Sequence, residues 1–360
     1  MSLPERYRPD LRDGGHALRV AIALLVPGLV LIAWGRPELL IYAEFGAFAG
    51  MYGRGEQGRP RIVHQVQAGG LLIAGEALGI TLAHHQAPPC LLVAVGVVFA
   101  TVCSVLSDAV RLRPAGPFFF LFAMGATATL PAGLAPPWQA LAICAATVVF
   151  AIVVGAIGRP DPFRGRPWWD GIAMVLRRPA PGVGIHALRY ALAVGIAGTA
   201  GVLIGVDHAN WAMAAAAVPL AVIDAGRPSD AETGLVLTRA THRTLGTFVG
   251  LAVAAALLAL DPGPTALALV AIALLFPTEL YTARHYAVAI GFFTPLIMLM
   301  TELADPTDPV RMLLYRGVDT VIGVVVGVAV ALADIGHEGA EEAAAEPPQY
   351  RGQQAGGRCV

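Results

Sequence analysis

The chain contains no lysine; every one of its 24 basic side chains is arginine. A phosphate-binding loop of the G-x-x-x-x-G-K-[ST] type is therefore excluded, and with it ATP hydrolysis by that route. Charge of either sign is scarce. Charged residues make up 14% of the sequence, against about 25% in soluble globular chains. The net charge of -1 offers nothing to a nucleic acid. Cysteine is also rare. Cys90, Cys103, Cys144 and Cys359 include no C-x-x-C pair, and three of them lie in or beside apolar runs, so neither a disulfide framework nor a zinc site is expected. The nine histidines show no metal spacing, and no H-E-x-x-H or G-x-S-x-G element occurs. No cofactor, no metal and no enzymatic activity are expected.

What the sequence has is apolar length. Hydrophobic residues make up 56% of it, and the mean hydropathy is +0.67. A membrane-spanning helix takes about 20 apolar residues. Runs of this kind begin at Ala17, Leu39, Ala68, Leu91, Pro117 and Trp138, and after a polar stretch at Ala187, Trp211, Thr244, Thr265, Tyr286 and Met312. The expectation is an all-α polytopic membrane protein of about twelve transmembrane helices. Some runs are shorter than a full span and could be kinked or re-entrant. Arginine is retained on the cytoplasmic side of short loops. With the N-terminus inside, Arg54, Arg59 and Arg61, then Arg111 and Arg113, then Arg159 to Arg178, then Arg227 to Arg243, then Arg284 all fall on one side, while Arg36, Arg311 and Arg316 alone fall on the other. This alternation predicts a multi-pass protein of the plasma (inner) membrane with both termini cytoplasmic.

The two halves resemble each other. His16-Ala17-Leu18-Arg19 recurs as His186-Ala187-Leu188-Arg189; Arg61 to Gln65 resembles Arg239 to Arg243; Gly116-Pro117-Phe118-Phe119 resembles Gly291-Phe292-Phe293-Thr294. Six segments per half give both halves one orientation, that is, two parallel six-helix half-repeats. Transporters built so place their substrate path between the halves. The expected division is a cytoplasmic N-terminal segment 1–16, a first half-repeat 17–158, a cytoplasmic linker 159–185, a second half-repeat 186–335 and a disordered cytoplasmic tail 336–360.

Ionisable groups at bilayer depth cost about 2.5–3.5 kcal/mol each on insertion scales and face inward. Glu44, Glu76 and Asp319 are of this kind, and each is a candidate either for proton coupling or for an ion pair that fixes packing. Glu279 closes the tenth run, and Asp108 and Asp224 lie near cytoplasmic ends where water could reach them. Arg316 and Asp319, three apart, share a helix face and could pair. Arg239 and Arg243, four apart, share a face just before the ninth run. Two guanidinium groups there call for an anion, which arginine holds bidentately, although retention of arginine on the inside also accounts for them. Gly46/Gly50, Gly75/Gly79, Gly246/Gly250 and Gly323/Gly327 are small-residue pairs for close helix packing.

Arg239-Ala-Thr-His-Arg243-Thr244-Leu-Gly246-Thr247-Phe-Val-Gly250 and Arg316-Gly-Val-Asp319-Thr320-Val-Ile-Gly323 resemble the R-T-x-G-T-x-x-G and R-x-x-D-T-x-x-G elements of the fusaric acid resistance-like (FUSC) family of integral membrane transporters, related to aromatic acid exporters. The likeness covers about His186 to Asp334 and is fainter before it. It implies export of small organic anions such as aromatic carboxylic acids, driven by the proton gradient. On that reading Arg239, Arg243 and Arg316 hold the anion, and Asp319, Glu44 and Glu76 couple protons or close ion pairs. The partners are then the lipid bilayer and the substrate anion, with homo-oligomerisation left open. A passive anion channel and a non-transporting membrane scaffold are the alternatives.

Overall fold

The computed structural model describes residues 11–56, 58–157, 182–205, 209–223 and 230–345, with 11, 12, 230, 231 and 334–345 described by backbone alone. Apolar runs in a bilayer must satisfy their own backbone groups, and the helix does so within one segment. Among the described residues the α-helices are α1 (Leu11–Ala33), α2 (Leu40–Ala47), α3 (Arg59–His84), α4 (Pro89–Val110), α5 (Phe118–Ala128), α6 (Pro137–Ala156), α7 (Val183–Ile204), α8 (Ala209–Leu220), α9 (Asp230–Leu258), α10 (Pro264–Thr282), α11 (Tyr286–Ala304) and α12 (Pro309–Ala345). Single 3-10 turns flank α2 at Pro37–Leu39 and Phe48–Met51. Proline occupies the first or second position of α3, α4, α6 and α10, where its missing N–H costs nothing.

Among the described residues nine helices are long and apolar enough to cross a membrane; α2, α5 and α8 are not. The short helices are the interior. Every residue of α2 and of α8 is buried, and nearly all of α5 is. The long helices surround them and turn apolar stripes outward at helical spacing, such as Val98 and Val102 of α4, Val149 and Val153 of α6, and Leu188, Leu192 and Ile196 of α7. An apolar outside around a partly polar inside is the arrangement lipid requires.

The long helices reach the short ones through glycine. A Cβ on Gly79 of α3 would lie 2.2 Å from the Met124 carbonyl of α5, and one on Gly323 of α12 would lie 2.3 Å from the Ala212 carbonyl of α8. One on Gly246 of α9 would lie 2.5 Å from the Ala287 carbonyl of α11. The small-residue pairs thus serve backbone-to-backbone packing.

Among the pairings, α1 packs on α10 and α7 on α4; α3 on α5 and α9 on α11; α3 on α6 and α9 on α12; α2 on α6 and α8 on α12; α5 on α8 and α2 on α11; α10 also packs on α11, and α7 on α8 and α12.

Several expected boundaries move. The ninth helix begins at Asp230, not Thr244, so Arg239 and Arg243 lie inside it. Arg61 stands in the first turn of α3 and Arg239 in the third turn of α9, so these two do not occupy matching turns. The backbone of α12 stays helical to Ala345, ten residues into the segment expected to be disordered. Asp224 and Cys359 lie outside the described residues, as do most of the expected linker and the end of the tail.

Candidate functional site

Arg243 is thirteen residues into the 29-residue helix α9 and fully buried. None of its three guanidinium nitrogens makes a hydrogen bond of good geometry, although the Tyr286 side chain of α11 stands close beside it. Its Cζ lies 4.9 Å from the ring centroid of Phe118, at the start of α5. Arg316, seven residues into α12, is also fully buried with all three nitrogens unpartnered. Its Cζ lies 5.0 Å from the Trp211 ring of α8 and 5.7 Å from the Phe122 ring of α5. Arg239 stacks on Tyr286 of α11, Cζ to centroid 3.2 Å. The three guanidinium groups therefore form a ladder, each rung resting on an aromatic face. A cation over a ring is worth about 2 kcal/mol or more once desolvated, which offsets part of the cost of burying it.

Arg239 and Tyr286 also line a cavity of about 50 Å³, with Phe118, Phe119, Thr278 and Phe293. Behind it an aromatic cluster closes on Phe293 of α11. The rings of Phe48, Phe118, Phe119 and Phe122 stand 6.0, 6.4, 6.2 and 6.1 Å from it, centroid to centroid.

Arg316 acts electrostatically on both Arg243 and Asp319. The expected Arg316–Asp319 pair nevertheless does not close. Both Asp319 oxygens are buried without a hydrogen-bond partner, and the guanidinium lies over Trp211 and Phe122 instead. Two arginines and one aspartate, each in its charged form, sum to a formal charge of +1 in a buried cluster, the charge that one carboxylate would neutralise.

The other two candidate acids belong to the first half and stand apart from the arginines. Glu44 on α2 and Glu76 on α3 are fully buried, and none of their four oxygens has a hydrogen bond of good geometry. The expected arginine partner is absent from both. Glu76 lies beside the Cys144 thiol of α6 and within electrostatic reach of Tyr42 of α2.

Two further acids, expected only as charges at helix ends, are paired with histidine across the bundle. His186 Nδ1 of α7 lies 2.7 Å from Asp108 Oδ2 of α4, and His16 Nε2 of α1 lies 3.4 Å from Glu279 Oε2 of α10. Both histidines are buried. Arg54 adds to the second pair, 4.0 Å from Glu279 Oε2, and donates to the Glu279 carbonyl at 2.8 Å.

Sequence reasoning named the arginines and Asp319, which the fold gathers on neighbouring helices, and did not foresee the rings beside the arginines, Phe118, Phe122, Trp211 and Tyr286. The Phe118-Phe119-Phe120 run was the available signal. It also did not single out several buried polar groups without partners, among them Asn210, Thr247 and Thr294. No group of three or more metal-ligating side chains occurs among the described residues.

Comparison with known proteins bears out the resemblance read from the arginine elements. Residues 193–330 match the family model described as fusaric acid resistance protein-like, a span that contains all three arginines and Asp319. The uncharacterized protein slr1298 of Synechocystis sp. is 27% identical over 177 residues, which is 49% of this chain and 22% of that relative. The chain thus covers about a fifth of that relative's length. No solved structure matches.

Proposed function

We propose that this multi-pass membrane protein of the fusaric acid resistance-like type is a secondary transporter that exports small organic anions, aromatic carboxylates above all, using the proton gradient. The observation that carries this is the pair of fully buried arginines, Arg243 and Arg316, whose six nitrogens make no hydrogen bond of good geometry even with Tyr286 and Asp319 beside them. A buried donor left without a partner costs about 1–3 kcal/mol, more for a charged one. An anion that comes and goes is the economical reason to keep two. The flat rings on which the guanidinium groups rest favour an anion that is itself flat and apolar. Transport, not catalysis, is the reading, since the cluster holds binding groups and no nucleophile with an adjacent base.

The route runs between two parallel half-repeats, 17–158 and 186–335, related by an axis along the membrane normal. Two features support the duplication. The starts of α1 and α7 are 172 residues apart, those of α3 and α9 are 171 apart, and those of α6 and α12 are 172 apart. Most helix pairings of one half also have a counterpart in the other. The cavity at Arg239 and Tyr286 is the cytoplasmic mouth, with N- and C-termini on that side of the plasma membrane. Asp319 is the group that exchanges Arg316 with the anion, and Glu44 and Glu76 carry protons.

The test is benzoate flux in proteoliposomes with and without an imposed pH gradient. Flux should rise with the gradient and be lost in Arg243→Ala while the protein remains folded and inserted. Flux indifferent to the gradient would make the protein a channel. A fully active Arg243→Ala variant would remove the arginine from the path.

A further inference from the structure

Threonine in a membrane helix ordinarily returns its hydroxyl to the carbonyl four residues back. In this protein Thr241 and Thr244 of α9 do so at 2.9 and 3.0 Å, Thr301 of α11 at 3.0 Å and Thr320 of α12 at 2.8 Å. Thr247 of α9 and Thr294 of α11 depart from this habit. Both are fully buried, and neither hydroxyl has a partner. They lie on the same two helices as threonines that follow it, so the departure is local.

The two hydroxyls share a level with Arg316. A Cβ on Gly250 would lie 2.6 Å from Thr294 Cβ, which sets α11 at residue 294 against the turn of α9 that follows Thr247. A Cβ on Gly317 would lie 3.4 Å from Phe248 Cε1 and 3.6 Å from Leu251 Cδ1, which sets α12, one residue past Arg316, against the same turn. Phe293, next to Thr294, stands 6.1 Å from Phe122, the ring beneath Arg316. Thr247 is also four residues from Arg243 and so on the same helix face. The first half supplies a parallel. Helix starts 171 and 172 residues apart carry Glu76 onto Thr247 and Cys144 onto Arg316, and Glu76 does lie beside Cys144.

We propose that the Thr247 and Thr294 hydroxyls complete the carboxylate cradle of Arg316 and Arg243, donating to the anion once the guanidinium groups have drawn it in. The proposal rests on the anion-exporter reading and adds how the substrate is recognised. A carboxylate offers two oxygens with about four lone-pair sites, and a bidentate arginine takes two of them. The remaining sites need donors, and a hydroxyl supplies one without adding charge. Donors with these positions, bounded by Phe122, Phe293 and Trp211, select a ring-borne monocarboxylate over a neutral aromatic of the same shape.

The experiment is concentration-dependent benzoate flux in proteoliposomes of the full chain, in the parent and in Thr247→Val, Thr294→Val and the double variant. Valine keeps the shape and removes the hydroxyl. Each single variant should raise the half-saturating benzoate concentration about tenfold, as expected for a lost hydrogen bond to a charged group, with maximal flux within about twofold of the parent. Thr247→Ser and Thr294→Ser should restore it, and Thr244→Val, whose hydroxyl serves the backbone, should leave it unmoved. Unchanged half-saturation in both valine variants, with Arg243→Ala inactive, would overturn the cradle and spare the exporter; the hydroxyls would then hold only water. A fully active Arg243→Ala would overturn both. Valine variants that serine does not rescue would assign the threonines to packing and overturn the cradle.

Discussion

The groups left unsatisfied differ between the two halves of the molecule. Glu44 and Glu76 are sealed in the first without a basic partner, and Arg243 and Arg316 in the second, beside Asp319, without a hydrogen bond of good geometry. In the register given by the helix starts the contrast sharpens. Cys144 and Thr147 of α6 fall where α12 carries Arg316 and Asp319, and Glu76 of α3 falls where α9 carries Thr247. Similar helix frames thus carry a charged side chain in one half where the other has a neutral one. Two identical halves would hold either two anion sites or two acids.

The comparison can be broken in several ways. The largest effect is expected from Arg316→Ala, which should cut benzoate flux at least 100-fold, since truncating one member of a buried charged set costs about 2–5 kcal/mol. If flux survives, the basic half is not the binding half. Glu76→Gln should come next. Its flux under a pH gradient should fall to the level without one, while benzoate exchange across symmetrical membranes stays near the parent's. Loss of exchange as well would mean that the acid half also binds the anion. His186→Ala should then destabilise the protein by about 1–3 kcal/mol, the cost of leaving its acid partner unsatisfied. His16→Ala should cost less, because Arg54 still serves Glu279. Thermal unfolding in detergent ranks the two, and an equal loss would mean that Arg54 contributes nothing. Cys144→Ser should have the smallest effect, leaving flux within about twofold, since it keeps a polar neighbour beside Glu76.

The helical membrane frame was legible in the sequence because a bilayer imposes its thickness on every segment that crosses it. Helix starts were not. Hydropathy registers only the apolar part of a helix, whereas α9 runs back through Asp230, Glu232, Arg239 and Arg243 before that part begins. Arg243 therefore looked like a residue at a membrane edge and is instead near mid-helix. The arginines themselves were legible as residue types. Their rings were not, because Phe118, Phe122 and Trp211 come from chain segments more than 80 residues away and meet the arginines only after α5 and α8 are enclosed. The register of the repeat failed for a related reason. Arg61 and Arg239 are the same letter in a similar context, but only the enclosing helices fix the turn in which each stands.

The two histidine–carboxylate pairs bear on how the chain assembles. His16 of the first half is matched by Glu279 of the second, and His186 of the second by Asp108 of the first. Each half is thus an incomplete surface whose complement is encoded elsewhere in the same polypeptide, and a second copy of the chain offers the same complement. Two chains could exchange halves and satisfy every one of these contacts, giving a swapped dimer with an unaltered interior. What favours the single-chain arrangement is effective concentration, set by the tether between the halves. Overcrowding in the membrane, or lengthening of that tether, should shift the balance from monomer to exchanged pair without changing a single side chain at the site.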